Sequence, residues 1–252
     1  EEKRTMIAKL LPAVLRFSHH RKKLAVIFQN DDDQLLFLKS RIINESQAYK
    51  IKGSGVDLKQ YSYTPEPEGQ KIKVLLTARM IVEKGIFILT DAAMKLKEQY
   101  KDRVQFLLCG GLDDNPVAIK EDELQAVCDG DYIKWLGYRT DILNLLKDCH
   151  IVAFPSYYKE GLPKSLIEAA AIGRPIVTTN SVGCKDTVVE GYNGFLVPVK
   201  DSDALADRLK ILIENKHLRW EMGKNSRRLA EKYFSIDDVV TKHLEIYGKI
   251  LK

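Results

Sequence analysis

From residue 71 to residue 198 the chain alternates between short β-rich runs and stretches of helical period. This alternation constrains the fold more than any other feature. The runs are KIKVLL (71–76), VQFLLC (104–109), DYIKWL (131–136), HIVAFP (150–155), PIVTT (175–179) and GFLVP (194–198). Helical period fills most of the gaps, as in IFILTDAAMKLKEQ (86–99) and TDILNLLKD (140–148). Strand, helix and strand repeating in this way predict an α/β fold, a parallel sheet covered by helices on both faces. In such a sheet ligands bind at the carboxyl ends of the strands, where the strand-to-helix loops gather.

Residues 1–70 read differently. A basic amphipathic helix is expected over 4–18, with Met6, Ile7, Leu10, Leu11, Val14 and Phe17 on one side. A strand at LAVIF (24–28), a helix from about Asp31 and a strand at 49–56 follow. YTPEPEG (63–69) is the linker candidate, and Asp201 reads as the cap of a helix over DSDALADRLKILI. Two more helices close the chain, the last after Ser235, with Tyr247 and Ile250 on its apolar side. The expected division is a partial N-terminal α/β unit (1–66), a Rossmann-like doubly wound domain (67–234) and a closing helix (235–252).

Composition narrows the function classes. With 45% hydrophobic and 30% charged residues among 252, the chain is an ordinary globular one, and no apolar run reaches a membrane-spanning length. The four cysteines form no CxxC pair, which argues against a zinc ribbon and fits a reducing compartment. The net charge of +5 resides in residues 1–25, with seven Lys/Arg against two Glu. So local an excess, without an aromatic stacking set, argues against nucleic acid as a partner. It suits an anionic membrane surface, which Arg16, Arg21, Lys22 and Lys23 could face. The chain opens at Glu1 without an initiator Met or signal-peptide pattern, and so reads as a piece of something longer.

The richest loop is KEGLPKSLIEAAAIGRP (159–175), directly after HIVAFP. Pro163 suits a first helical turn, Glu160 stands before the helix and Glu168 within it. The backbone N–H groups of Lys164, Ser165 and Leu166 would face outward as an anion-binding helix terminus. Carboxylates repel phosphate and pair with hydroxyls, so the set suits a phosphate flanked by two polyols, a nucleotide-sugar. At the end of the first strand of this sheet, LLTARMIVEKG (75–85) carries Arg79 and Lys84, a fork and a point charge suited to a diphosphate. Gly110 and Gly111 of CGG allow close backbone approach, and WLGYRTD, with Tyr138 and Arg139, could offer main-chain groups to a flat base.

These motifs resemble those of the retaining glycosyltransferases of family four, which have the GT-B fold. Glu160 to Glu168 matches their Glu-x7-Glu signature, TARMIVEKG their Arg…Lys-Gly loop, and GRPIVTTNSVGCKDTVVEGYNGFLVP (173–198) their closing pattern. IKGSGVDL (51–58) looks like the interdomain strand, and FQN, GSGVD and GC look most like bacterial enzymes extending lipid-linked glycans. The resemblance implies that Glu160 binds donor-sugar hydroxyls and Glu168 the ribose. It implies that Arg79 and Lys84 hold the diphosphate and stabilise leaving UDP, with no metal or other cofactor. Gly110, Gly111, Tyr138 and Arg139 would line phosphate and uracil. A lipid-linked or glycan acceptor and a location on the cytoplasmic face of the membrane follow by the same route. It further implies that the first half of the acceptor-side domain is missing, so that the chain would bind donor and transfer poorly.

Other readings compete. The chain lacks GxGxxG after its strands, a P-loop, HExxH and GxSxG, against a nicotinamide-dependent oxidoreductase and several hydrolases. A nucleotide-sugar-binding regulatory module and a sugar-phosphate epimerase of similar fold share the site residues. Asp31 to Asp33 and Asp201 to Asp203 carry metal-type DxD spacing but are read as helix caps and acidic first turns. His150 and Cys184 are read as packing residues.

Overall fold

The computed structural model describes residues 12, 14–19, 23–115 and 118–251. Its larger unit is a six-stranded parallel sheet in the order β5-β4-β3-β6-β7-β8. The strands are β3 (Ile72–Thr77), β4 (Val104–Cys109), β5 (Ile133–Trp135), β6 (Ile151–Phe154), β7 (Ile176–Thr179) and β8 (Gly194–Val197). Counted from β3, this is the doubly wound order 3-2-1-4-5-6, in which the direction of winding across the parallel sheet reverses between the first and fourth strands. That reversal places the loops after β3 and β6 side by side.

The sheet forms because its strands are apolar on both faces. Val74, Leu75 and Leu76 are all fully buried, as is most of β4 and β6, the pattern of strands covered by helices above and below. Helices α2 (Ile86–Tyr100), α3 (Glu121–Val127), α4 (Ile142–Asp148), α5 (Lys164–Ile172), α6 (Ser202–Glu214) and α7 (Lys216–Tyr233) supply the cover. α2 buries Ile86, Leu89, Ala93 and Leu96 along one stripe, whereas α5 is buried nearly all round. α5 ends at Gly173, left-handed at φ 86°, and crosses α7 so closely that a Cβ on Gly223 would stand 2.4 Å from the Gly173 carbonyl oxygen.

The smaller unit pairs β1 (Val26–Phe28) with β2 (Ala48–Lys50) in parallel through α1 (Asp31–Lys39). The last helix, α8 (Ile236–Leu251), packs Val239 and Ile246 against Ile51 and the flanks of this small sheet. One expectation needs correction here. The strand expected over 49–56 stops at Lys50, because Gly53 and Gly55 turn the chain in the left-handed region before Val56 bridges to Ser235. The apolar side of α8 is wider than its buried stripe: Ile250 packs against the Ile51 cluster, whereas Tyr247 is half exposed beside Val240 and Leu244 on an apolar groove. The basic helix expected over 4–18 falls largely outside the described residues. Within them, residues 14–19 are helical and Arg16 donates to the Ser40 carbonyl at 2.7 and 2.9 Å.

The expected caps divide. Asp201 caps α6 by accepting from the Ala204 amide, but α1 is capped by Asn30, with Asp31 to Asp33 forming its acidic first turn. His150 is buried and accepts the Lys73 amide at its Nδ1, and burial pushes its pKa down.

The 63–69 stretch has no regular structure, yet it is clamped. Arg174, 1% exposed, donates to the carbonyls of Leu146, Lys147, Thr64 and Pro65. Arg219 grips Glu66 with two bonds at 2.7 and 2.9 Å, and Arg227 donates to the Tyr61 carbonyl. Arg174→Met would remove the donors from the buried Leu146 carbonyl and from three part-buried ones. The expected cost is about 3 kcal/mol, read as a lower urea midpoint with unchanged slope.

Candidate active site

Where the direction of winding reverses between β3 and β6, two loops are pressed together. Gly85, at φ 80°, follows the turn 82–84, and a Cβ there would stand 2.2 Å from the Pro155 carbonyl oxygen. Only glycine satisfies both the backbone angle and the clearance. The Glu83 carbonyl accepts from the Tyr157 and Tyr158 amides and the Ser156 hydroxyl, which stitches the loops along their length.

This contact brings together two of the residues singled out in the sequence. Lys84 Nζ lies 2.5 Å from Glu160 Oε1, with side-chain exposures of 12% and 13%. Ser156 Oγ lies 3.2 Å from the same carboxylate oxygen and shares its one proton between it and the Glu83 carbonyl, and the ammonium stands 4.8 Å over the Tyr158 ring. The pair is mostly withdrawn from water, so each charge depends on the other for compensation.

α5 begins immediately beyond this loop. Its cap position is Pro163, and Lys164 and Ser165 lead the helix. Leu166 departs from the expectation of an outward amide: it is fully buried and its N–H donates to the Pro163 carbonyl at 3.1 Å. The expectation of an anion-facing terminus therefore narrows to the Lys164 and Ser165 amides. The Lys164 ammonium turns away to the Gly55 carbonyl at 2.5 Å.

Glu168 sits one turn into α5, half buried beside Tyr61. Burial raises its pKa above 4.5 against the opposing pull of Lys164 and Tyr61. Burial, followed by the neighbouring Glu168 charge, pushes the Tyr61 hydroxyl up to about 12.

The ends of β3, β4 and β5 form a second cluster. Gly110 is obligatory: a Cβ would stand 1.6 Å from the Ala78 carbonyl oxygen. Its amide donates to the Gly137 carbonyl, and its own carbonyl accepts the Trp135 indole at 2.9 Å. Gly111 lies against the Cβ of Tyr138, whose ring is 77% exposed. Arg79 is paired with Asp113 at 2.6 Å, on the Gly110 side of the edge and not on Glu160. Arg139 forms a two-bond fork with Asp141. These two cations thus stand partnered by carboxylates, on the same strand ends that the sequence indicated.

Five participants were not singled out as site residues: Ser156, Tyr158, Tyr61, and Gln29 with Asn30, which hold the 160–162 backbone from the small unit. Of these, FQN (28–30) was quoted as a motif, and an Asn before an acidic run is a cap signal. Each DxD carboxylate has a partner in the fold: Asp31 pairs with Lys50 and Asp203 with Lys95, while Asp33 accepts from Asn30 Nδ2 and Asp201 from the Ala204 amide. Cys184 is fully buried, and burial raises its thiol pKa.

With this geometry in view, residues 62–229 match the family Glycosyl transferases group 1. The chain is 29% identical to the N,N'-diacetylbacillosaminyl-diphospho-undecaprenol alpha-1,3-N-acetylgalactosaminyltransferase of Campylobacter jejuni, over 99% of this chain and 65% of that one. It is 30% identical to the capsular polysaccharide biosynthesis glycosyltransferase CapM of Staphylococcus aureus, over 69% of this chain and 45% of that one. The chain therefore spans about half to two thirds of the length of these curated relatives. In fold it is similar to HepE of Anabaena solved in complex with UDP, with TM-score 0.81, 23% identity, and coverage of 94% of this chain and 68% of that one.

The raised Glu168 pKa has a consequence for stability. A carboxyl whose folded pKa lies above its unfolded value contributes stability below about pH 4.5 and loses it as pH rises through the folded value. Glu168→Gln is therefore expected to raise the melting temperature at about pH 7 and to leave it nearly unchanged at about pH 4. A gain of equal size at both pH values would show that burial of the charge is not the cause.

Proposed function

The chain belongs to the group 1 glycosyl transferases, and from that premise we propose that its ligand edge binds a UDP-sugar and transfers the sugar to a lipid-linked or glycan acceptor. The observation that carries the proposal is the Lys84–Glu160 pair at the mouth of α5. A diphosphate is a stronger partner for Lys84 than a single carboxylate, because it presents more negative charge and can also take the Lys164 and Ser165 amides. Its arrival frees Glu160 to accept hydrogen bonds from sugar hydroxyls. Glu168, farther along the same helix, takes the ribose hydroxyls. Arg79 is close in sequence to Lys84 and reaches the diphosphate by exchanging Asp113 for it. Tyr138, Arg139 and the backbone at Gly110 and Gly111 border the base.

In the proposed reaction the bond between the anomeric carbon and the UDP oxygen breaks. The acceptor hydroxyl oxygen forms its bond on the same face, and its proton passes to the leaving diphosphate. Lys84, Arg79 and the helix terminus supply the positive charge that stabilises the leaving group, so the proposal requires no divalent cation and no cofactor. An acceptor carried on a lipid diphosphate is in keeping with the printed name of the Campylobacter jejuni relative, and such an acceptor would be met at the cytoplasmic face of a membrane. The basic residues of 1–25 would hold it there.

A thermal-shift panel of UDP, GDP, ADP and NAD, each with magnesium and with EDTA, tests the reading. UDP at 100 times its Kd adds about 2.7 kcal/mol to the folded state, a rise of roughly 5–10 °C in a chain of this size. The expected result is stabilisation by UDP alone, equal with EDTA and abolished by Lys84→Ala or Glu168→Ala. Stabilisation by NAD, or only with magnesium, overturns it.

A further inference from the structure

The two ends of the proposed donor site are built by different parts of the molecule. Lys84, Glu168 and the leading turn of α5 belong wholly to the six-stranded unit. The backbone of Glu160, Gly161 and Leu162 is held instead from the small sheet. Gln29 Oε1 accepts the Leu162 amide at 3.0 Å, and Asn30 Nδ2 donates one N–H to Asp33 Oδ2 at 2.9 Å and shares the other between the carbonyls of Glu160 (3.3 Å) and Gly161 (3.2 Å). The fit is close on both sides. A Cβ on Gly161 would stand 2.2 Å from Gln29 Oε1, and one on Gly183 would stand 2.5 Å from the Glu160 and Gly161 carbonyl oxygens.

Asn30 is 1% exposed, and its Oδ1 accepts the Asp33 amide at 2.8 Å. One buried amide side chain therefore caps α1 and pins a loop on the other unit. The Asp32–Lys185 pair at 2.8 Å and the Lys164–Gly55 bond extend the same seam.

We propose that Gln29 and Asn30 are positioning residues for Glu160, so that recognition of the donor's sugar, but not of its nucleotide, depends on how the small unit seats on the large one. This rests on the donor reading above. The direction in which the Glu160 carboxylate leaves the backbone is set by bonds that cross the seam. Glu168 and the Lys164 and Ser165 amides take no bond from Gln29 or Asn30, and Lys84 meets the seam only through its pair with Glu160, which a bound diphosphate displaces. Any ligand that alters the seating of the small unit is thereby coupled to sugar binding, and the coupling is reciprocal.

The test uses the full chain and three variants. Asn30→Ser retains a capping side chain but loses the amide donor, and Gln29→Met removes the acceptor for Leu162. Gln29→Glu keeps that acceptor and serves as the rescue. Calorimetric titrations with UDP, and with whichever of UDP-glucose, UDP-galactose and UDP-N-acetylglucosamine the parent protein binds, separate the two ends. Kd for UDP should not rise beyond about two-fold of the parent in any variant, whereas Kd for the UDP-sugar should rise about five-fold or more in Asn30→Ser and Gln29→Met and recover in Gln29→Glu. Equal losses for both ligands, or no loss for either, overturn the proposal.

Hydrogen exchange at the Leu162 amide provides a readout that needs no ligand. It should accelerate about ten-fold in Asn30→Ser and Gln29→Met while the Leu89 amide in the core is unchanged. If the parent protein binds no UDP, the donor reading fails by itself. The exchange rate then decides the clasp: acceleration upholds it and an unchanged Leu162 rate overturns it.

Discussion

Lys84 and Glu160 meet at 2.5 Å between the two loops that a doubly wound sheet must bring together, and the surrounding structure serves that meeting. Gly85 gives the loops their clearance, the Glu83 carbonyl fastens one to the other, and Ser156 orients the carboxylate. Removing two charges from water costs several kcal/mol, and their mutual attraction often does no more than offset that cost. Stability is therefore a poor explanation for placing the pair there. A better one is exchange: a cation held by a single carboxylate at the mouth of a helix is ready to change partners when a more highly charged anion arrives.

The same division between stability and site runs through the molecule. The arginines Arg174, Arg219 and Arg227 spend their donors on backbone carbonyls and on Glu66, fixing the 57–66 stretch to the large unit. Glu168 works in the other direction, since burial raises its pKa and its ionised form is disfavoured in the fold. A carboxylate kept half buried at the ligand edge is a local cost, and the ribose hydroxyls of the proposed donor would relieve it. The pivot between the units is correspondingly small: Gly53 and Gly55 turn the chain, and Val56 bridges to Ser235 where α8 returns to the small sheet.

Much of this was legible in the sequence because it depends on local pattern. The six strands of the large sheet fall within one or two residues of their apolar runs, and the loops of interest follow from strand direction alone. What could not be read depends on distant partners. That Asn30 would cap α1 in place of Asp31 was open to local reasoning, but its bonds to Glu160 and Gly161 join residues 130 positions apart. Glu168 was found by its motif, whereas Tyr61 carries no motif and reaches it because Arg227 pins the intervening chain. Arg79 was placed with Lys84 by sequence spacing; the acidic Asp113 at the next strand end draws it to the other side of the edge. The strand expected over 49–56 failed for a local reason, two left-handed glycines, which apolar alternation does not register.

The exchange account makes opposite demands on the two members of the pair, and UDP affinity measured calorimetrically on two variants tests it most directly. Glu160→Gln removes the competing carboxylate, so it should bind UDP about three-fold or more tightly than the parent, and Lys84→Met should bind it at least ten-fold more weakly, on the order of one to two charge-assisted hydrogen bonds. Weakening by both substitutions, or indifference to either, would show that Lys84 and Glu160 form a structural pair and that the diphosphate lies elsewhere.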